Sequence, residues 1–291
     1  MGRGPAVIRG HGPSSYSWAR AQQLFVGTGP AVIRGQGPSS YTVGPMEDRL
    51  YFRQLLSGRD FATDNMIAQQ MVNFAYMIGD RKTGEVVLVD PAYNIDDLLA
   101  LAEADGMTVT GVLGTHYHAD HVGGNMMGHN IIGVAELLEK VDVPVHLQAS
   151  EVEFVTKTTG LGPDQLVAHA SGDVVSVGSI AIELIHTPGH TPGSQCFLVR
   201  APGADHDAER LVSGDTLFLD GCGRTDLPGG DAEQLYYSLT DRLSKVPDSA
   251  LLYPGHLYSP PETHRSMGDT RARNVVYKPG SVEQWMMMFG H

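Results

Sequence analysis

The sequence predicts an α/β domain in which helices cover the outer faces of β-sheets. Three observations carry that expectation. Short β-rich runs alternate with helical stretches along residues 46–291. Several β-rich runs end with a His or Asp immediately after them, the way one edge of a rigid sheet presents chemical groups. With 42% hydrophobic and 18% charged residues, the 291-residue chain can bury one large core or two modest ones.

In chain order, Val72–Ile78 and Glu85–Val89 read as a hairpin across the turn-rich Gly79–Gly84. Ile95–Ala104 reads as a helix, with Leu98, Leu99, Leu101 and Ala102 at helical spacing and Gly106 beyond its end. Thr108–Gly114 is β-rich and runs straight into a histidine cluster. Gly123–His129 reads as a Gly-rich loop beside that cluster. Ser150-Glu-Val-Glu153 has the pattern of a capping box opening a short helix. Ile180–Ile185, Leu211–Ser213 and Leu251–Tyr253 read as strands, each leading to a His or Asp beside Gly. Leu235, Leu239 and Leu243 mark one face of a helix opened by Asp231, and Ser281 caps a last apolar helix.

Charge and cysteine content exclude several classes. Twenty Lys and Arg against 33 Asp and Glu give a formal charge of −13, which argues against a nucleic-acid partner. No apolar run approaches the length of a bilayer span, so no transmembrane helix is expected. Two cysteines, Cys196 and Cys222, cannot build a disulfide framework.

The first 45 residues stand apart. Gly4–Tyr16 recurs as Gly29–Tyr41, differing only at His11 and Gln36. Nine Gly, five Pro and no acidic residue leave no helical or alternating periodicity over residues 1–45. The expectation is a disordered or artefactual extension, followed by one domain over residues 46–291 with Met46 as its natural start. The chain then reads as cytoplasmic, or mitochondrial if the Arg-containing, acid-free segment is a transit peptide.

Chemistry is concentrated in Thr115-His116-Tyr117-His118-Ala119-Asp120-His121, an H-x-H-x-D-H string. On an extended strand end His116 and His118 point to one side; Asp120 and His121 follow as the chain turns. That arrangement suits two adjacent metal ions. His190, Asp215 and His256, each after a strand and beside Gly, complete the candidate set. His11, His129, His146, His169, His206, His264 and His291 sit in no ligand-spaced motif, and His186 lies four residues before His190.

With these motifs in this order, residues 50–260 resemble the metallo-β-lactamase fold superfamily. The resemblance implies an αββα sandwich with a metal site along one edge of the two sheets. Carried over motif by motif, His116, His118 and His190 would hold one metal, and Asp120, His121 and His256 a second. Asp215 would bridge both, and Asp90 would brace the H-x-H-x-D-H loop from behind. His/Asp ligation suits two divalent ions such as zinc, with a single iron as the alternative. A metal-bound hydroxide, oriented by Asp120, would be the nucleophile.

Three features narrow the branch. Asp215 stands where antibiotic-hydrolysing members usually carry Cys or Ser. Gly221-Cys-Gly-Arg-Thr-Asp226 resembles glyoxalase II, the hydroxyacylglutathione hydrolase, and the persulfide dioxygenases, whose basic residue there, Arg224 here, meets a glutathione carboxylate. His256-Leu257-Tyr258 resembles the H-x-Y of glyoxalase II, which places Tyr258 at the substrate. Only 35 residues follow His256, too few for the helical domain of glyoxalase II and closer to persulfide dioxygenases and compact thioester hydrolases. The expected activity is hydrolysis of a thioester, such as a glutathione thioester. Persulfide dioxygenation and lactone or other ester hydrolysis are the alternatives. The expected partner is a small molecule, and nothing in the sequence specifies an oligomer.

Deletion of residues 1–45 should leave the thermal midpoint and metal content of the protein unchanged. An insoluble truncation, or one that loses metal, would place the segment inside the domain.

Overall fold

A computed structural model of the protein describes residues 49–201 and 209–290. The expected extension over residues 1–45, and with it His11, lies outside them, as do His206 and His291.

Strand β1 (Leu50–Leu56) is followed by helix α1 (Met66–Met71), capped by the Asn65 side chain. Strands β2 (Phe74–Asp80) and β3 (Glu85–Val89) form the expected hairpin. Strand β2 runs on through Gly79 and Asp80 because the buried Asp80 carboxylate accepts from Ser179 N at 2.8 Å and Lys82 N at 2.9 Å. Helix α2 (Ile95–Ala104), capped by Asn94, leads to β4 (Thr108–Leu113), parallel to β3. One helical turn, α3 (Ala119–Val122), precedes a small hairpin of β5 (Gly124–Met126) and β6 (His129–Ile131), in place of the expected loop. Helix α4 (Val134–Leu138), β7 (Val145–Gln148), α5 (Val152–Thr159) and β8 (Leu166–His169) complete a first sheet of order β1-β2-β3-β4-β7-β8.

The second sheet has the order β9-β10-β11-β12-β13-β14. Its strands are β9 (Val174–Val177), β10 (Ile180–His186), β11 (Gln195–Arg200), β12 (Arg210–Gly214), β13 (Leu251–Pro254) and β14 (Arg265–Ser266). Helices α6 (Ala232–Tyr237), α7 (Met267–Arg273) and α8 (Val282–Phe289) belong to its outer side.

The two-residue side-chain period of strands separates three apolar layers. Phe74, Tyr76, Ile78, Val87 and Val89 of the first sheet pack against Ile182, Leu184, Phe197, Val199 and Val212 of the second. The alternate residues Ala75, Met77, Val86 and Leu88 face the helix layer of Ile95, Leu98 and Ala102. Cys196, Leu198, Leu211 and Leu252 face Leu235, Leu239, Met267 and Trp285. The result is the expected αββα sandwich. Each fully buried large apolar side chain contributes about 1.5–3 kcal/mol by area.

Two local expectations are corrected. Leu235, Leu239 and Leu243 do share one buried face, but the helix after Asp231 passes into a π turn at Ser238–Arg242 and a 3₁₀ turn at Leu243–Lys245. Ser150 is not a cap. The chain turns at Ala149–Glu151 before α5, with the Gln148 side chain accepting from Ser150 N at 2.5 Å. Glu153 pairs instead with Lys157 at 2.6 Å, and Glu151 points inward.

Helix α8 is held to α6 by Trp285, fully buried, whose indole N–H donates to Ala232 O at 2.8 Å. Trp285→Ala should lower unfolding free energy by about 3–5 kcal/mol, read from urea denaturation. A loss under about 1 kcal/mol would show α8 to be dispensable to the domain.

Candidate metal centre

Strands β4, β10, β12 and β13 all end at the same edge of the sandwich. Their trailing loops carry His116, His118, His190, Asp215 and His256, while α3 carries Asp120 and His121. Backbone crossing points seat the loops on one another. Gly214 has φ +49, and a Cβ there would stand 2.6 Å from the Thr115 side chain. A Cβ on Gly255 would stand 2.4 Å from Asp215 Oδ1.

All seven sequence-predicted donors converge. Three sets have their donor atoms within 4.8 Å of one another: His116, His118 and His190; His116, His121 and Asp215; and Asp120, His121 and His256. His116 Nε2 and His190 Nε2 each lie 3.0 Å from His118 Nδ1. Asp215 reaches His121 Nε2 at 3.4 Å through Oδ1 and His256 Nε2 at 3.3 Å through Oδ2.

The tautomers follow from what each ring touches on its other side. Thr115 Oγ1 donates to Asp90 Oδ2 at 2.6 Å, so it accepts from His116 Nδ1 at 3.0 Å. His121 Nδ1 donates to Asp90 Oδ2 at 2.9 Å, His190 Nδ1 to Arg224 O at 2.7 Å, and His256 Nδ1 to Met71 O at 2.8 Å. With Nδ1 carrying the hydrogen, neutral His116, His121, His190 and His256 all turn an Nε2 lone pair inward. Asp90 also accepts from Thr115 N at 2.7 Å. It does so from a left-handed backbone, φ +51, which Asp tolerates better than most residues.

The two halves of the site differ electrostatically. Burial, then the neighbouring imidazoles, hold His116 well below the usual histidine range. Burial and His190 push His118 down to about 3, and burial lowers His190. These rings stay neutral, and the inward Nε2 lone pairs of His116 and His190 both face His118 Nδ1, which can offer a hydrogen to at most one of them. In the other half, burial opposes charge on His121, but Asp120, Asp215 and Asp90 raise it to about 10. His256 is raised in the same way, burial being outweighed by Asp215. Burial disfavours charge on Asp215 too, yet His256 and His121 hold its carboxyl well below the usual range. Its Oδ1 is buried without a hydrogen-bond donor. Inward lone pairs, an unbonded carboxylate oxygen and an all-nitrogen-and-oxygen donor set fit a divalent cation.

Three contributors carry no sequence signal of their own. The Asn73 Nδ2 amide lies 3.1 Å from Asp120 Oδ2, 3.3 Å from His121 Nε2 and 3.4 Å from His256 Nε2. Tyr93 OH donates to Asn73 Oδ1 at 2.8 Å and so orients that amide. Glu151, 1% exposed, accepts from Tyr117 N and Thr191 Oγ1 at 2.7 Å and from Gly193 N at 2.6 Å. Burial raises its carboxyl to about 7 against the pull of those bonds.

The remaining candidates lie around this core. Arg224 makes a two-armed ion pair with Asp226 at 2.5 and 2.6 Å, with its side chain 45% exposed. Tyr258 stacks on His256, ring centroids 4.7 Å apart and 8° from parallel. His186 contacts Pro192 O at 2.9 Å, outside the donor sets. His146 and His169 pair with each other at 2.9 Å, while His129 and His264 are exposed. Both cysteines are free, and among the described residues no helix is long and apolar enough to cross a membrane.

The sequence pattern of the Metallo-beta-lactamase superfamily matches residues 70–256, from just before β2 to the last histidine of the site. The chain belongs to this superfamily. Among its relatives, a hydroxyacylglutathione hydrolase of a Polaromonas species is 36% identical over 187 residues, which are 64% of this chain and 62% of that protein. The mitochondrial persulfide dioxygenase ETHE1 of Bos taurus is 29% identical over 203 residues, 69% of this chain and 70% of that protein. The crystal structure of ETHE1 from Myxococcus xanthus matches with a TM-score of 0.63 and 30% identity, covering 83% of this chain and 90% of that one. The metallo-beta-lactamase superfamily thus accounts for the sandwich and its histidine edge, and these relatives place the chain near the glyoxalase II and ETHE1 branch.

In the metal-free protein, His121 keeps a proton until about pH 10, so a cation entering its group must displace it. Zinc titrated into metal-free protein near about pH 8 should release protons, and the release should fade as pH rises through about 10. Calorimetry in buffers of different ionisation heat reads it. A proton count that does not change with pH would show that His121 is already neutral.

Proposed function

We propose that this chain is a metal-dependent hydrolase of thioesters, glutathione thioesters among them. The observation that carries the reading is that two donor groups are complete and adjoin, with Asp215 reaching the imidazoles of both. Bound there, two divalent ions, zinc by the donor chemistry, would supply Lewis acidity and lower the pKa of a bound water.

The chain's own residues do the rest. Asp120, 7% exposed, has a carboxylate steadied by the Asn73 amide and can orient an attacking water and hold its proton. The backbone carbonyl of Arg224 fixes the His190 ring, and its guanidinium lies on the loop leaving the centre. A substrate carboxylate would meet that guanidinium in competition with Asp226. Tyr258, 42% exposed and stacked on His256, offers an aromatic wall at the rim.

A second reading, persulfide dioxygenation at one iron, is favoured by a different observation. By sequence, the Bos taurus ETHE1 is covered over 70% of its length, whereas the Polaromonas hydrolase is covered over 62%. Metal analysis of protein purified without added metal separates the two. Two zinc ions per chain with turnover of a glutathione thioester support the hydrolase. One iron with oxygen consumption on glutathione persulfide supports the dioxygenase and overturns the hydrolase.

Arg224→Ala should raise KM for a glutathione thioester and leave kcat nearly unchanged, because a carboxylate grip acts equally on ground and transition states. The pair is exposed and must displace Asp226, so the rise should be roughly two- to fivefold. Steady-state kinetics against a thioester lacking that carboxylate is the control. An equal change on both substrates would make Arg224 a purely structural residue.

A further inference from the structure

Asp90 braces one side of the centre, tying Thr115 and His121 together. It reaches the His118 loop only at Thr115, and none of its hydrogen bonds among the described residues reaches the loop that carries His190, whose Nε2 nevertheless stands 3.0 Å from His118 Nδ1. Those two loops come from different sheets, after β4 and after β10. Gln195 bonds Gly114 O and Thr115 O at the base of these loops, and Glu151 joins them beside the histidines. Its Oε1 accepts from Tyr117 N, between His116 and His118, and from Thr191 Oγ1, next to His190. Its Oε2 accepts from Gly193 N at 2.6 Å. A Cβ on Gly193 would stand 2.5 Å from that oxygen, so only glycine lets the loop seat there.

These partners are neutral N–H and O–H groups, and burying a carboxylate among them is costly. An apolar residue would fill the space at less cost, but it could not accept three hydrogen bonds from two loops. A carboxylate, which only accepts, can. We propose that Glu151 is the positioning residue that sets the spacing of His118 and His190, and thereby the metal affinity of the His116–His118–His190 group. This inference rests on the metal-centre reading of the site.

The test is a cobalt(II) titration of the metal-free full-length chain, followed by visible absorption and chelator competition, with Glu151→Gln and Thr191→Val compared to wild type. Glutamine turns an amide N–H₂ toward one of the three donors. Valine removes a single donor and leaves the carboxylate, so it remains informative if Glu151→Gln folds poorly. Both changes should weaken one cobalt by roughly ten- to a hundredfold and alter its absorption, leaving the Asp120–His121–His256 ion near its wild-type affinity. Because both act on one brace, the double variant should lose little more than Glu151→Gln alone. Wild-type affinity and spectrum in both variants would overturn the proposal, as would equal weakening of every ion. Wild-type protein that takes up no cobalt would overturn the metal-centre reading, and this inference with it.

Discussion

The packing of two sheets through a single apolar layer is the constraint on which the centre depends. The first sheet supplies His116, His118, Asp120 and His121; the second supplies His190, Asp215 and His256. No donor group is complete unless Phe74, Tyr76 and Val89 hold their places against Phe197, Val212 and Tyr253. Apolar packing is not directional, so polar contacts at the site edge fix the offset. Gln195 Nε2 donates to Gly114 O at 2.9 Å, Phe74 N to Gly255 O at 2.8 Å, and Tyr76 OH to Pro254 O. Each bridges from one sheet to a loop or strand end of the other, within two residues of a donor.

Within that frame, the site is built from one neutral half and one charged half. In three crowded imidazoles burial outweighs the nearby Asp215, while Asp120 and Asp215 outweigh burial at His121 and His256. Both halves are unsatisfied in a way a cation relieves: one has more inward lone pairs than hydrogens to meet them, the other holds a proton that a cation would displace. An all-apolar edge of the same shape would be more stable, and the departure from it marks chemistry rather than folding.

Two buried carboxylates tie the loops of this arrangement to one another. Asp90 takes up a left-handed backbone to reach Thr115 and His121, and Glu151 joins the loops after β4 and β10. Backbone strain and an unpaired buried charge both reduce stability, and the three-layer core supplies the surplus that tolerates them.

The sequence alone determined the class of the fold and picked out the candidate donors. Alternating apolar strands, glycine at the strand ends and the H-x-H-x-D-H string are local patterns, readable because the side-chain period of a strand and the turning freedom of glycine are local properties. Its local reading failed where neighbours far along the chain compete with a local motif. Ser150–Glu153 has the spacing of a cap, yet Glu151 turns inward because Tyr117, Thr191 and Gly193 offer stronger partners. Only the tertiary structure decided the tautomers and the placing of Asn73 and Tyr93 against Asp120. The tautomers and the Asn73 placement depend on which carbonyl, hydroxyl or carboxylate arrives from another sheet or loop, as Met71 O does for His256 across 185 residues of chain. No local spacing encodes such an arrival, because packing of the two sheets brings the partners together.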